Sequence, residues 1–252
     1  MPLVETESLI LRTYNLAEAD KIVLMFTRDH GIVRGVAKGA KRLKSKFGSS
    51  LEPYSVVRIH YFQKETLELM SIQRIDLIDS YFAAASRPEF LNKFAYLTDI
   101  LIASLPPHDP NETLYRMTKA CLAAAEVDQT KLESIGLYFE IWLLKLTGYL
   151  PRWKNCTECG TEFGAAQAGG LAANHELICG NCRRLSSMPQ IGPHARKLVS
   201  DALRLSPRDF CELDFEQSLL RELSQFCRRV ISQSIGRPVQ ETHLFNTGIQ
   251  VK

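Results

Sequence analysis

The chain has 252 residues, of which 45% are hydrophobic and 23% are charged, a composition typical of a globular protein with one large or two modest domains. Its net charge of +3 is too small to indicate a nucleic-acid partner, so only the distribution of charge is informative. Charged residues interrupt the first twenty positions and no apolar run reaches about 20 residues, so we expect neither a secretory signal nor a membrane span. Seven cysteines, an odd number that includes two C-x-x-C pairs, favour metal binding in a reducing compartment, the cytoplasm, over a disulfide framework.

The first 79 residues contain short β-prone segments separated by turn residues. Apolar and polar residues alternate in the fourth segment, as expected of a strand with one buried face. Asp29-His30-Gly31 predicts a tight turn, and Gly35 permits the sharp coiling that a small barrel requires. We therefore predict an α+β protein whose residues 1–79 form a five-stranded OB-type β-barrel. The predicted strands are Val4–Thr13, Ile22–Thr27, Ile32–Ala37, Val56–Phe62 and Leu67–Ile72.

From Ser80 onward the apolar period changes from two to about 3.6, which predicts a helical domain over residues 80–252. Proline and glycine mark several helix ends. The predicted helices are one with a stripe from Phe90 to Leu105, one capped by Asp109 and running through Ala125, one with a capping box at Thr130 and Glu133 that Gly148 closes, one near Pro193–Leu205, and one over Phe215–Ile235 that Gly236 stops.

Inside the helical domain, an insertion at about residues 153–186 carries both C-x-x-C pairs, separated by nineteen residues. This spacing is typical of a zinc ribbon or knuckle, and four sulfur ligands leave no open coordination position, so the site is expected to be structural. Two thiol–disulfide pairs or a mononuclear iron site are the alternatives, and His175 is a possible competing ligand. The predicted metal ligands are Cys156, Cys159, Cys179 and Cys182.

The strongest charge asymmetry lies between His30 and Leu51, a stretch without acidic residues. Its cations can neutralise phosphates, and nearby Phe47, Tyr54 and Tyr61 can offer stacking surfaces for unpaired bases. The alternative is a solvated loop with aromatic residues in the barrel core. The predicted DNA-binding residues are Arg34, Lys38, Lys41, Arg42, Lys44 and Lys46. A possible second basic patch comprises Arg228, Arg229 and Arg237; the alternative for one or more of these is a helix-end charge that interacts favourably with the helix dipole.

The basic segment also carries a family resemblance. The stretch Gly31-Ile-Val-Arg-Gly-Val-Ala-Lys-Gly-Ala-Lys-Arg-Leu-Lys-Ser45, followed by Phe47 and Leu51-Glu-Pro-Tyr54, resembles the N-terminal signature of the RecO family, as does Ile22-Val-Leu-Met-Phe-Thr27. The paired cysteines and the terminal Ile235-Gly-Arg-Pro238 leading into Leu244-Phe245 also fit the family. The resemblance covers nearly the whole chain.

Resemblance to RecO implies an OB barrel and a zinc-bearing helical domain that together bind single- and double-stranded DNA and anneal complementary strands. It implies RecR and single-stranded DNA-binding protein as partners, and RecA and RecF as functional ones, in recombinational repair. It further implies a non-catalytic protein associated with the nucleoid. The basic family segment corresponds here to Arg34–Lys46, and the metal ligands correspond to the four paired cysteines.

The sequence lacks the motifs of two enzyme classes that bind zinc or nucleotides. A zinc deaminase needs H-x-E and P-C-x-x-C, and a P-loop ATPase needs G-x-x-x-x-G-K-[ST]; neither motif is present. No cluster of carboxylates typical of a metal nuclease stands out. An OB-fold RNA-binding or assembly protein with a structural zinc ribbon is the remaining alternative, because stacking and phosphate contacts accept either nucleic acid.

Overall fold

The structure, a computed structural model, describes residues 3–16, 18–62 and 69–239. The first two residues of the predicted strand Leu67–Ile72, and the motif Leu244-Phe245, lie outside the described residues. Five strands form the N-terminal part. These are β1 (Leu3–Leu16), β2 (Asp20–Thr27), β3 (Gly31–Ala37), β4 (Ser55–Phe62) and β5 (Leu69–Ser80).

These strands close into a barrel in the order β1-β2-β3-β5-β4. β1 is antiparallel to both β2 and β4, whereas β3 and β5 are parallel. A register shift between Ile10 and Arg12 marks a β-bulge, which bends β1 so that it can pair on both sides. The predicted five-stranded OB-type barrel is confirmed.

Inward-facing apolar side chains fill the barrel. Gly35 lies at this wall, where a Cβ atom would be 2.7 Å from Ile72 Cγ1, so a larger residue would displace that side chain. The predicted turn before β3 is also present, since Gly31 has a φ of 64°. The barrel core comprises Ile10, Val23, Met25, Val33, Ala37, Phe47, Leu51, Val57, Ile59, Tyr61, Met70, Ile72 and Ile75.

The predicted end of the fifth strand at Ile72 was wrong. β5 continues to Ser80 because it remains paired with β4, from Phe62 opposite Ser71 to Ser55 opposite Ser80. The polar residues after Ile72 concealed this extension, since the outer face of a barrel strand carries polar side chains.

Seven helices and three short strands occur in the rest of the described chain. The helices are α1 (Phe82–Ala85), α2 (Pro88–Ser104), α3 (Glu112–Val127), α4 (Leu132–Leu146), α5 (Pro193–Arg204), α6 (Pro207–Cys211) and α7 (Gln217–Ile235). The strands β6 (Gly169–Leu171), β7 (Leu177–Ile178) and β8 (Gln190–Ile191) form a sheet in the order β7-β6-β8. None of the helices in the described ranges has the length and apolar character needed to cross a bilayer.

Two predicted helix caps were wrong. The side chain of Asn111, not Asp109, caps α3 by accepting a hydrogen bond from the Leu114 N–H at 3.0 Å. Before α4, Asp128 accepts from the Thr130 N–H at 2.9 Å, so Thr130 lies within a 3-10 turn and does not begin a capping box. The sequence offered several capping residues close together, and tertiary packing selected among them.

The described chain divides into two compact units, one ending at Leu132 and one comprising Glu133–Val239. The first unit contains the barrel together with α1, α2 and α3. Tyr54 contacts Phe90 and Phe94 of α2 edge-on at 6.0 and 5.8 Å between ring centroids, and Phe26 contacts Tyr115 of α3 at 5.5 Å. The barrel itself ends at Ser80, and the boundary between residues 79 and 80 stays a prediction.

Candidate nucleic-acid interface and metal centre

The connection after β3 forms an anchored loop, which we call the basic loop (residues 38–46). At its start, the Gly39 N–H donates to Asp20 Oδ1 at 2.7 Å, and the Lys41 N–H donates to the Ala19 carbonyl at 2.9 Å. At its end, Phe47 and then Leu51 are buried in the barrel core. The loop is therefore held to the barrel at both ends.

The six predicted DNA-binding cations are all exposed. Arg34 is on β3 and the other five are in the basic loop. Within the described ranges, none of the six forms an ion pair with a carboxylate. Lys46 instead donates to the Gln73 carbonyl at 2.5 Å and lies 5.1 Å from the centre of the Phe47 ring. Positive charge is thus concentrated here, with no ion pair to a carboxylate in the part of the chain that the structure describes.

The predicted stacking role of the three aromatic residues was wrong. Phe47, Tyr54 and Tyr61 are only 2%, 4% and 0% exposed, so no base can reach their faces. Burial raises the pKa of both tyrosines to about 12. These three side chains fit the alternative, in which the aromatic residues belong to the core and the loop is exposed to solvent.

In the possible second basic patch, Arg228 has a different environment from Arg229 and Arg237. Arg228 Nε lies 3.2 Å from Glu140 Oε1, and Glu140 is fully buried and also accepts from Ser224 Oγ at 2.8 Å. A buried carboxylate requires such a partner, so Arg228 stabilises the packing of α7 on α4. Arg229 and Arg237 are exposed. Sequence reading missed Glu140 because it stands within an otherwise apolar helix.

The four paired cysteines come together in the second unit, with all four sulfurs within 4.8 Å of one another. Neighbouring sulfurs are separated by 3.9 Å (Cys156 and Cys182), 3.7 Å (Cys159 and Cys179) and 3.6 Å (Cys179 and Cys182). These separations are far longer than a disulfide bond of about 2.05 Å. They match the edge of about 3.8 Å expected for a tetrahedron with metal–sulfur bonds of about 2.3 Å. The cluster can therefore bind one metal ion.

Hydrogen bonds favour the thiolate form of Cys156 and Cys159. Burial opposes ionisation of Cys156, but backbone N–H groups, including that of Cys179 at 3.3 Å, lower its pKa overall. The Thr161 hydroxyl, 3.3 Å from the Cys159 sulfur, lowers the pKa of that thiol to about 6. The neighbouring sulfurs of Cys159 and Cys179 raise the pKa of Cys182. Four thiolates at this distance consequently need a cation to offset their mutual repulsion.

His175 lies outside the sulfur cluster. Its Nε2 is 2.6 Å from Gln233 Oε1, its ring meets Phe226 edge-on, and its carbonyl accepts from Trp153 Nε1 at 3.1 Å. His175 therefore connects the cysteine segment to α7, and four sulfurs remain the ligand set.

Arg196 of α5 holds the loop between the two cysteine pairs. Its guanidinium donates to the carbonyls of Gly164 and Gln167 at 2.7 and 2.8 Å and stacks over Phe163. Burial lowers the pKa of Arg196. Sequence analysis gave no signal for this residue, because the contact joins distant parts of the chain.

Comparison with known proteins finds family models along most of the chain. The model for the N-terminal domain of recombination protein O matches residues 1–81, and the model for its C-terminal domain matches residues 94–243. A DNA repair protein RecO from Bifidobacterium adolescentis is 34% identical over 98% of this chain and all of the relative. One from Koribacter versatilis is 28% identical over 93% of this chain and 95% of the relative.

We expect Cys159→Ser to lose the bound metal and to lower the stability of the second unit, because three thiolates bind more weakly and metal binding contributes to folding. Metal content per chain and the thermal unfolding curve are the measurements. Cys121→Ala, which removes a buried thiol outside the cluster, should keep the metal. Unchanged metal content in Cys159→Ser would contradict the assignment.

Proposed function

Because the chain belongs to the RecO family of DNA repair proteins, we propose that it is a non-enzymatic recombination mediator that binds single- and double-stranded DNA through the barrel face carrying Arg34 and the basic loop. The single observation that carries this proposal is the set of six exposed cations without a carboxylate partner among the described residues, on a loop anchored to an OB-type barrel. OB barrels bind oligonucleotides through a face and its connecting loops.

The cations act by contacting phosphates. Each neutralised phosphate releases counterions, which supplies affinity that falls steeply as the salt concentration rises. These contacts do not depend on base sequence, and both forms of DNA present phosphates, so single and double strands are bound by the same residues. The anchored backbone keeps the cations close together in the absence of DNA.

Strand annealing follows from the same electrostatics. Two complementary strands repel each other through their phosphates, and a cationic surface that holds both raises their local concentration and weakens this repulsion. The step needs no nucleotide hydrolysis.

In the proposed role the protein acts in the cytoplasm at the nucleoid, where it anneals strands and, with RecR, helps to load RecA onto DNA coated by single-stranded DNA-binding protein. RecF acts in the same process.

Zinc is the metal we propose for the four-cysteine cluster, since tetrahedral four-thiolate sites select zinc or iron and the C-x-x-C spacing is that of zinc ribbons. Cys156, Cys159, Cys179 and Cys182 would hold the ion and leave no position for substrate or water. Zinc would therefore stabilise the cysteine segment between α4 and α5 and take no part in a reaction.

Reversing three charges in the basic loop, Lys41→Glu, Arg42→Glu and Lys44→Glu together, should weaken binding to single-stranded DNA by about two orders of magnitude at low salt and make the salt dependence shallower by about 2 in log–log slope. Titration of a labelled strand measures both quantities. The unfolding curve should not change, because all three side chains are exposed.

The matched control reverses three exposed cations of the second unit, Lys145, Arg208 and Arg221, to glutamate, and should bind DNA nearly as tightly as the original chain. An equal loss in both variants would mean that only net charge matters. Tighter binding to an RNA strand than to a DNA strand of matched sequence would favour the RNA-binding alternative.

With RecR, the protein should shorten the delay before RecA hydrolyses ATP on circular DNA coated by single-stranded DNA-binding protein, because it helps RecA to displace that coat. The protein without RecR is the control and should give a longer delay. A delay that the two proteins together leave unchanged would contradict the mediator role, even where DNA binding is intact.

A further inference from the structure

Leu43 is the most exposed of the large hydrophobic residues in the described parts of the chain, with a relative exposure of 102%. The next most exposed is Val127 at 68%, and Leu3 reaches 57%. A single exposed apolar residue needs no explanation by itself. The position of Leu43, between Arg42 and Lys44 in the middle of the basic loop, is what distinguishes it.

The fold holds Leu43 away from the barrel. Ala40 packs against the barrel core on one side of Leu43, and Phe47 is buried in it on the other. Two consecutive turns span residues 39–45. They are closed by hydrogen bonds from the Arg42 N–H to the Gly39 carbonyl at 3.1 Å and from the Ser45 N–H to the Arg42 carbonyl at 3.0 Å. The intervening backbone thus presents Leu43 at the tip of the loop.

A ligand that covers the flanking cations must also cover Leu43. Phosphate oxygens and their bound water give no favourable contact with a leucine side chain, whereas the faces of nucleobases are apolar and lie next to the phosphates on the same strand. Leucine is among the residues that insert between base steps and unstack them when neighbouring cations hold the backbone.

From this arrangement, and resting on the DNA binding proposed above, we propose that Leu43 inserts against a base of the strand held by Lys41, Arg42 and Lys44 and separates that base from its stacked neighbour. An unstacked base can pair with a complementary strand. The Leu43 contact would therefore prepare a strand that the cations hold for annealing. An anionic lipid surface also has phosphates above an apolar layer, but a single leucine buries too little apolar area to anchor a loop there.

The test uses an oligodeoxyadenylate with one 2-aminopurine, whose fluorescence increases when its neighbours unstack. The full chain should raise this fluorescence, and Leu43→Ala should lose most of the increase while the affinity falls by only about fivefold. The slope of affinity against salt should stay the same, because an apolar contact releases no counterions. Leu43→Met, which keeps a long apolar side chain, should retain the signal.

Leu3→Ala is the matched control, since Leu3 is an exposed leucine of β1 outside the basic loop, and it should behave like the original chain. A full fluorescence increase in Leu43→Ala, or no increase with the original chain bound to DNA, would overturn the insertion and leave the proposed function intact. Failure of the original chain to bind DNA would overturn both. Loss of binding to phosphatidylglycerol vesicles in Leu43→Ala, with the DNA signal unchanged, would assign Leu43 to a membrane contact.

Discussion

Closure of the barrel depends on β1, which pairs with β4 along residues 3–9 and with β2 along residues 8–16. A closed barrel has no free strand edge, and its side chains alternate between a packed interior and an outer surface. Aromatic residues near the basic loop, including Phe47 and Tyr61, are buried in the barrel interior. The loop between β3 and β4 is therefore anchored from inside and carries its cations outside, which is the arrangement that DNA binding requires.

Both candidate sites are charge imbalances held in place by the fold. Some cations elsewhere are paired with acids: Arg228 lies against buried Glu140, and Arg58 lies 3.4 Å from Glu5 on the barrel surface. In the cysteine cluster, four sulfurs come within 4.8 Å of one another, an arrangement that a cation stabilises. In the basic loop, five of the six cations are gathered on one short segment, an arrangement that a polyanion stabilises. We therefore expect a cation at the cysteine cluster and a polyanion at the basic loop.

Local patterns predicted the parts of the structure that depend on local chemistry. Strand alternation, turn glycines and the spacing of the cysteine pairs predicted the barrel, the change to helices and the sulfur cluster, because each signal is a residue pattern that can be read directly from the sequence. Contacts between residues far apart in the chain could not be predicted from these local patterns. The burial of Tyr54 against α2, the choice of Asn111 as a cap and the pairing of Arg228 with Glu140 are set by tertiary packing, which a single sequence does not display.

We propose that exposed cations on an anchored loop allow this protein to pair DNA strands without nucleotide hydrolysis. The most direct measurement is the rate at which complementary strands, each coated with single-stranded DNA-binding protein, anneal without ATP at about 50 and 200 mM salt, with the original chain and with the variant carrying three reversed charges in the basic loop. We expect annealing that is fast at low salt, slower at high salt, and at least about tenfold slower in the variant. Annealing at the same rate by both proteins, or no annealing by a chain that still binds bare DNA, would contradict it.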